Sequence, residues 1–581
     1  MEEVNIGRQR EPGSAAAPLL VGVTGHRDLR PEDRAPLSCA VRDVLEELRH
    51  NYPDTPILLL SPLAEGADRL VAEVARSMDI QLVATLPLPA SLYEVDFKTP
   101  ESIAEFRTHL AAAQLSFSLP LLAPEAEVSR EGDARDAQYE EAGKYIVRQC
   151  QILLALWDAE DNGKRGGTAQ IVRYQLEGLP SEDCRLEPLE LFPVYHIPSP
   201  RLENPSPKVQ PFRLRKLYPS GLSPESADAE AYKAAQEYYD RIFRNLDEYN
   251  RDATRPDPIL ETEAKRGRSY VVEQSVEAAL PGAARLTLGR FGITDALARR
   301  FQRRTVQLQL ALHWLVFGAF TFFVLFAHLP EEYRSGGLRL DLLFASVVLL
   351  AASLAVHRYA KHWRVESKYL DYRAVTEGLR VKFFWQIAGI REPVGNLYLR
   401  KLRTELDWIR NGFRGWDLGE PASAVLTNDS VRLLKTNWVE DQFNYFGKKA
   451  EENERNAEWF ERSALAFMVF AILGLVSSFA TRLNPFWSDI NNILIDVCLA
   501  IGALLHHYGN QMAFAEHQKQ YARMRVAFGS ASDFLAQELA RDSDDGMCAG
   551  ACILKLGREA LAENGDWVLL HRERPLELPH A

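Results

Sequence analysis

Four apolar runs, all after Arg304, constrain this chain more than any other feature. From Val306 to Leu329 there is no Asp, Glu, Lys or Arg, and Trp314, Phe317, Phe320, Phe322 and Phe323 supply bulk. A helix of that length crosses roughly 30 Å of hydrocarbon. The run from Leu342 to His357 is only 16 residues and marginal by itself. Ser463 to Thr481 and Ile490 to Tyr508 form a second pair. The pattern predicts four spans arranged as two hairpins. Asp496, in the fourth, is expensive in lipid and is expected to face protein or water. The competing reading makes the shorter runs buried helices of a soluble α-domain.

Charge favours the membrane. Arg299, Arg300, Arg303 and Arg304 precede the first run, and Arg358, Lys361 and Arg364 follow the second. Lys448, Lys449, Arg455 and Arg462 precede the third, and Lys519, Arg523 and Arg525 follow the fourth. The hairpin loops hold only Arg334 and Arg339 in one and Arg482 in the other. The positive-inside rule therefore puts both termini and the long middle segment in the cytoplasm of a multi-pass protein, with the lipid bilayer as an obligate partner.

The remainder reads as ordinary soluble protein. At 581 residues the chain exceeds what one core supports, and 46% hydrophobic with 25% charged residues excludes a disordered or collagen-like chain. Of six cysteines only Cys548 and Cys552 are close, so neither a disulfide framework nor a metal site is expected. A net charge of −12 argues against a nucleic-acid partner while allowing a local basic pocket. The first thirty residues lack a charged-then-apolar leader, so no cleavable signal peptide is expected.

Each hairpin is followed by a long polar helix with matching punctuation. Tyr359 and Tyr372 recur as Tyr508 and Tyr521 at the same separation, which suggests two copies of one unit and a four-helix membrane bundle able to form a homo-oligomer.

Residues 18–200 alternate short apolar runs with amphipathic stretches. Leu19–Val23, Ile57–Leu60, Gln81–Leu86, Ser116–Leu121, Ile152–Trp157 and Leu191–Ile197 are the predicted strands. The alternation implies an α/β fold with a Rossmann-like parallel sheet, whose ligands sit beyond the carboxyl ends of the strands. Three loops there carry glycine. In the first, which runs from Gly22 through Thr24 to Arg27, Gly25 permits close approach, and His26 and Arg27 can meet a phosphate or base edge. The second offers Ser61, Glu65, Gly66 and Arg69, with Glu65 suited to a ribose hydroxyl and Asp68 to capping a helix. The third follows Asp158 and puts Gly166, Gly167 and Thr168 at a helix N-terminus, where an anion is cradled.

The segments VGVTGHR, SPLAEGADRLVAEVA, YIVRQCQILLALWD and GKRGGTAQIV, in this order, resemble the SLOG superfamily, Rossmann-like nucleotide-sensing domains related to the LOG enzymes and to DprA. The resemblance implies that the glycine-loop residues above line a nucleotide pocket. Residues 300–540, above all Trp438 to Phe467 and the third and fourth runs, resemble the SLATT family of two-span effectors found in bacterial defence systems. That likeness implies an effector of the bacterial inner membrane that perturbs or permeabilises the bilayer when a nucleotide-derived signal binds. One departure bears on catalysis: LOG enzymes use GGxGTxxE, and Ile171 stands at the glutamate position. No catalytic residue, cofactor or metal is therefore assigned. Two alternatives stand beside it: a membrane-anchored nucleotide glycosidase using Glu65, and a non-enzymatic scaffold.

The expected organisation is a flexible start (1–17), the nucleotide-binding domain (18–200), a charged helical connector (201–300), the first hairpin with its helix (301–392), a cytoplasmic helical segment (393–460), the second hairpin with its helix (461–542) and a tail (543–581). In the connector, Tyr239, Ile242, Phe243, Leu246 and Tyr249 recur at helical spacing and define one apolar face.

Overall fold

A computed structural model describes residues 5–6, 15–161, 163–180, 190–328, 337–399, 406–418, 426–481, 484–541 and 547–575. Leu329, Arg334 and Arg482, used above to define the spans and their loops, lie outside the described residues, as do most of 1–17 and the last residues of the tail. The chain divides into two compact units, residues 1–256 with 393–422, and residues 257–392 with 423–581. The backbone therefore passes from one unit to the other three times.

The first unit is an α/β fold around one eight-stranded sheet, in the order β1-β5-β4-β3-β2-β6-β7-β8. The strands are β1 (Asn5–Ile6), β2 (Leu19–Gly25), β3 (Ile57–Ser61), β4 (Gln81–Leu86), β5 (Leu115–Ser118), β6 (Ile152–Trp157), β7 (Val194–Pro198) and β8 (Arg215–Leu217). The six inner strands pair in parallel, and only β1 and β8, at the edges, are antiparallel. Runs such as ILLL bury every residue, as strands covered on both faces must. All six predicted strands are present. The two edge strands escape a pattern reading because they are two and three residues long and lack an apolar alternation.

Helices α1 (Arg34–Asn51), α2 (Ala67–Ser77), α3 (Pro100–Ala112), α4 (Asp133–Gln149) and α5 (Thr168–Glu177) connect the strands. The chain builds outward from β2 through β3 and β4 to β5, then returns to lay β6 on the other side of β2. That reversal makes the β2–β6 junction the topological switch point, where such sheets open a crevice.

The stretch 201–300 is divided between the units. Helix α6 (Ala229–Thr254) belongs to the first and buries the five apolar residues that its spacing picked out. Its Asn250 accepts from the Ala17 amide (2.8 Å), and its Asp247 accepts from the Thr55 hydroxyl (2.8 Å). The helix Asp407–Asp417 also joins this unit: the Trp416 indole donates to the Ala16 carbonyl (3.0 Å), and Arg410 and Arg414 pair with Glu190.

The second unit is helical. It contains α7 (Pro258–Val271), α8 (Gly282–His328), α9 (Leu338–His362), α10 (Val365–Ile387), α11 (Asp441–Thr481), α12 (Pro485–Gln511), α13 (Phe514–Arg541) and α14 (Met547–Arg572). Four of its helical stretches, carrying the four apolar runs, are long and apolar enough to cross a membrane. Their most apolar windows are only 6 to 17% buried, and Trp314, Phe344, Phe470 and Phe479 stand out from the bundle. Helices of a soluble core would bury these faces; here they are left for lipid. Asp496 has a partner, lying 3.2 Å from His328 Nε2.

The repeat extends to the backbone. Helix α9 ends at His362 and α10 starts at Val365; α12 ends at Gln511 and α13 starts at Phe514. Between them Arg364 (φ 49°) and Ala513 (φ 50°) take the left-handed conformation, 149 residues apart like Tyr359 and Tyr508. The hydrogen bonds Arg364 N to Lys361 O and Ala513 N to Asn510 O repeat at the same offset. One hairpin-and-elbow unit is present twice.

Candidate functional site

A cleft of about 250 Å3 opens at the switch point of the first unit. It is bounded by the ends of β2 and β6, the start of α5 and the flank of α4. Of the thirteen residues singled out from sequence, Thr24, Gly25, His26, Arg27, Gly166, Gly167 and Thr168 line it. Gly22, Ser61, Glu65, Gly66, Arg69 and Asp158 do not, and each has a reason.

Gly22 and Gly25 serve close packing. A Cβ on Gly22 would lie 2.5 Å from the Ile146 side chain, and one on Gly25 would lie 2.3 Å from Ala67. Gly66 (φ 80°) carries the second loop against the first, where a Cβ would meet the His26 and Arg27 carbonyls at 2.5 Å. Ser61 is fully buried, its hydroxyl accepting from the Leu63 amide (3.1 Å). Glu65 turns away and accepts from the Ser102 hydroxyl. Arg69 is 1% exposed on the inner face of α2, donating to the Leu63 carbonyl, to Ser102 and to Glu105 (3.1 Å), with its guanidinium over the Phe97 ring. It holds the loop rather than meeting a ligand.

Asp158 stands behind the cleft as an anchor. Buried at the end of β6, it accepts from Arg201 Nε (2.9 Å), Asn204 Nδ2 (3.1 Å) and the Glu160 amide (3.1 Å), and lies 3.0 Å from His26 Nε2. Burial lowers the His26 pKa against the opposing pull of Asp158, so the ring is neutral near pH 7. The Asp158 backbone amide also donates to His26 Nε2 (3.1 Å), so this ring nitrogen is held by Asp158 rather than turned to a ligand.

The third loop is clamped onto α4. Burial would raise the Glu140 carboxyl, but bonds from Lys144, Arg165 and Tyr174 outweigh it and hold the pKa at about 2. Arg165 Nε donates to Glu140 (2.6 Å), the Tyr174 hydroxyl donates to its other oxygen (2.7 Å), and Gln170 bridges Tyr174 to the Gly166 amide (2.6 Å each). Gly166 (φ 69°) allows the turn, passing so close to α4 that a Cβ would lie 2.9 Å from the Glu140 nitrogen. The Gly166 and Gly167 amides are thereby used within the loop, the latter on the Lys164 carbonyl (3.1 Å). The amides of Thr168 and Ala169, next in line at the start of α5, have no acceptor among the described residues, as the first turn of a helix requires.

Sequence reasoning missed Asp68 as a cleft residue, together with Tyr93, Tyr139, Lys164 and Arg201. Asp68, 3% exposed, accepts from the Ala64 amide (3.2 Å), and burial pushes its carboxyl up to about 7. The Arg27 guanidinium lies over the Tyr139 ring at 5.1 Å, and the Tyr139 hydroxyl donates to Asp96, which Arg135 also holds (2.7 Å). Asp68 was visible as a helix-start acid, whereas the tyrosines come from a short helix after β4 and from mid-α4, where no local signal marks them. Ile171 lines the cleft as an apolar side chain.

The cleft thus combines open helix amides and Arg27 suited to an anion, Tyr139 and Trp157 on its walls, and the buried carboxyl of Asp68. The chain matches no family model, and no curated protein matches it.

Proposed function

We propose that this chain is a multi-pass effector of the bacterial inner membrane, SLOG-like in its first unit and SLATT-like in its second, that binds a nucleotide-derived ligand and perturbs the bilayer in response. The soluble unit and both termini are cytoplasmic, and a homo-oligomer acts as the working assembly. The observation that carries the reading is the pairing of two features in one chain. A cleft with unused helix amides, a cationic side chain and aromatic walls sits at a topological switch point. The unit that holds it is joined by three backbone connections to a unit with four span-length helices. A ligand acts on the spans only by binding one of their arrangements better than the other; roughly 5.5 kcal/mol of preference moves a 1:99 population to 99:1.

Native mass spectrometry of the full chain, extracted in mild detergent, tests the binding half. A phosphorylated, ultraviolet-absorbing small molecule is expected to travel with the wild type and to be lost from R27Q. Protein that carries none and binds none from a nucleotide pool would contradict the reading.

A second reading, a nucleotide hydrolase, draws on Asp68 rather than Glu65: a carboxyl raised to about 7 inside a cleft is suited to proton transfer. It requires base release by the wild type, abolished in D68N with binding retained.

A further inference from the structure

The helical unit has a cavity of its own, about 410 Å3, in the size range of small-molecule sites. Its walls come from α10 of the first repeat, from α11 and α13 of the second, and from α14. Gln302, four residues before the first apolar run, and Met512, four residues after the last, line it, so it lies just outside the spans. Interfaces between repeated units are where many membrane proteins place their ligands.

The charge of the walls is positive. Glu377 accepts from Arg380 (2.9 Å) and pairs with Arg373 (2.6 Å), one carboxylate between two guanidinium groups, and Lys449 adds a third cation, which Glu452 holds at 2.6 Å. The other acid, Glu563, has its carboxyl raised to about 8 by burial, with the charge of Glu377 adding to the effect. It is mostly protonated at neutral pH and opposes the cations little. The aromatic side is a layered stack in which His517 lies between Tyr521 (5.6 Å, 12°) and His571 (4.9 Å, 19°), with Trp567 against His571 at 4.0 Å. His517 is 6% exposed, and its Nε2, buried in this wall, has no hydrogen-bond partner among the described residues. A buried donor or acceptor without a partner is costly, and a ligand would remove that cost.

We propose that this cavity binds a small phosphoryl-bearing anion, its charge held by Arg373, Arg380 and Lys449 and its remaining polar group by His517. The chemistry is shared by a free nucleotide and by the headgroup of an anionic lipid entering from the bilayer. It is independent of the strand-end cleft, so either site can fail while the other stands.

The test uses the full chain in uncharged detergent, titrated in one arm with adenosine monophosphate and followed by native mass spectrometry. In the other arm it is reconstituted in phosphatidylcholine with or without phosphatidylglycerol and re-extracted, and retained lipid is counted. One bound molecule per chain is expected that survives R27Q, weakens about tenfold or more in R380Q, and weakens in the same direction in K449Q. Lys449 is 40% exposed, so K449Q tests the site even if R380Q does not fold. Binding of the nucleotide alone assigns a soluble anion, and selective retention of phosphatidylglycerol assigns a lipid; either supports the site. No binding in either arm, or binding that R380Q and K449Q leave unchanged, would overturn it.

Discussion

The strand-end cleft and the interhelical cavity solve the same problem with different materials. The cleft is made of backbone: glycine-permitted turns, carbonyls in close approach and the open amides at the start of α5. The cavity is made of side chains projecting from four helices whose own backbone groups are already paired. A backbone framework depends on turn geometry and packing, so, its side-chain contact Arg27 apart, the cleft breaks through folding. A side-chain site tolerates single replacements and loses them as affinity.

The largest expected effect that sharpens this contrast is D158A. It leaves Arg201 and Asn204 without their carboxylate at the end of β6, and removal of one partner of a buried pair costs about 3–5 kcal/mol. Denaturant unfolding should show the loss in the transition of the α/β unit and leave the helical unit unchanged. Next comes G66A, which forces a side chain into a left-handed turn against two carbonyls; about 1–3 kcal/mol is expected by the same measurement. R27Q should sit lower in stability effect, near zero, while weakening nucleotide binding about tenfold or more by titration. If R27Q destabilises as much as G66A, the distinction between scaffold and ligand contact within the cleft is wrong.

A separate effect is one of pH. Burial raises Asp68 from 3.8 to about 7. The folded state therefore holds a proton that the unfolded chain releases, and this contribution to stability is present at low pH and lost as pH rises through about 7. Glu140, held at about 2, has the opposite sign: its contribution is present above its unfolded pKa of 4.5 and lost as pH falls toward 2. D68N should flatten the first slope in melting curves between pH 4 and 7 and leave the second in place.

Much of this was legible in the sequence because it is local. Apolar runs of strand length gave the six parallel strands, longer apolar runs gave the four long helices, and tyrosine spacing gave a repeat that the paired elbows at Arg364 and Ala513 extend to the backbone. Glycines marked the loops that meet at the cleft. What local pattern cannot say is which way a side chain turns once the loop is tethered elsewhere. Glu65 and Arg69 look like ligand contacts in a glycine loop, yet Ser102 and Glu105 on α3 draw them aside. Asp68, between them, is the one left in the cleft. The return of Asp407–Asp417 to the first unit depends on pairing Arg410 and Arg414 with Glu190, some 220 residues earlier, and no periodicity announces such a contact. The interhelical cavity was invisible for the same reason, since its arginines, tyrosines and histidines lie on four separate helices.

The central claim is that occupancy of the cleft changes what the four apolar helices do to a bilayer. Full-length protein in liposomes loaded with a potassium-sensitive dye measures this directly, with ion flux recorded before and after addition of the ligand identified by mass spectrometry. Flux should rise on addition for the wild type and stay at the protein-free level for R27Q. A wild type that binds the ligand and leaves the flux unchanged would contradict the claim.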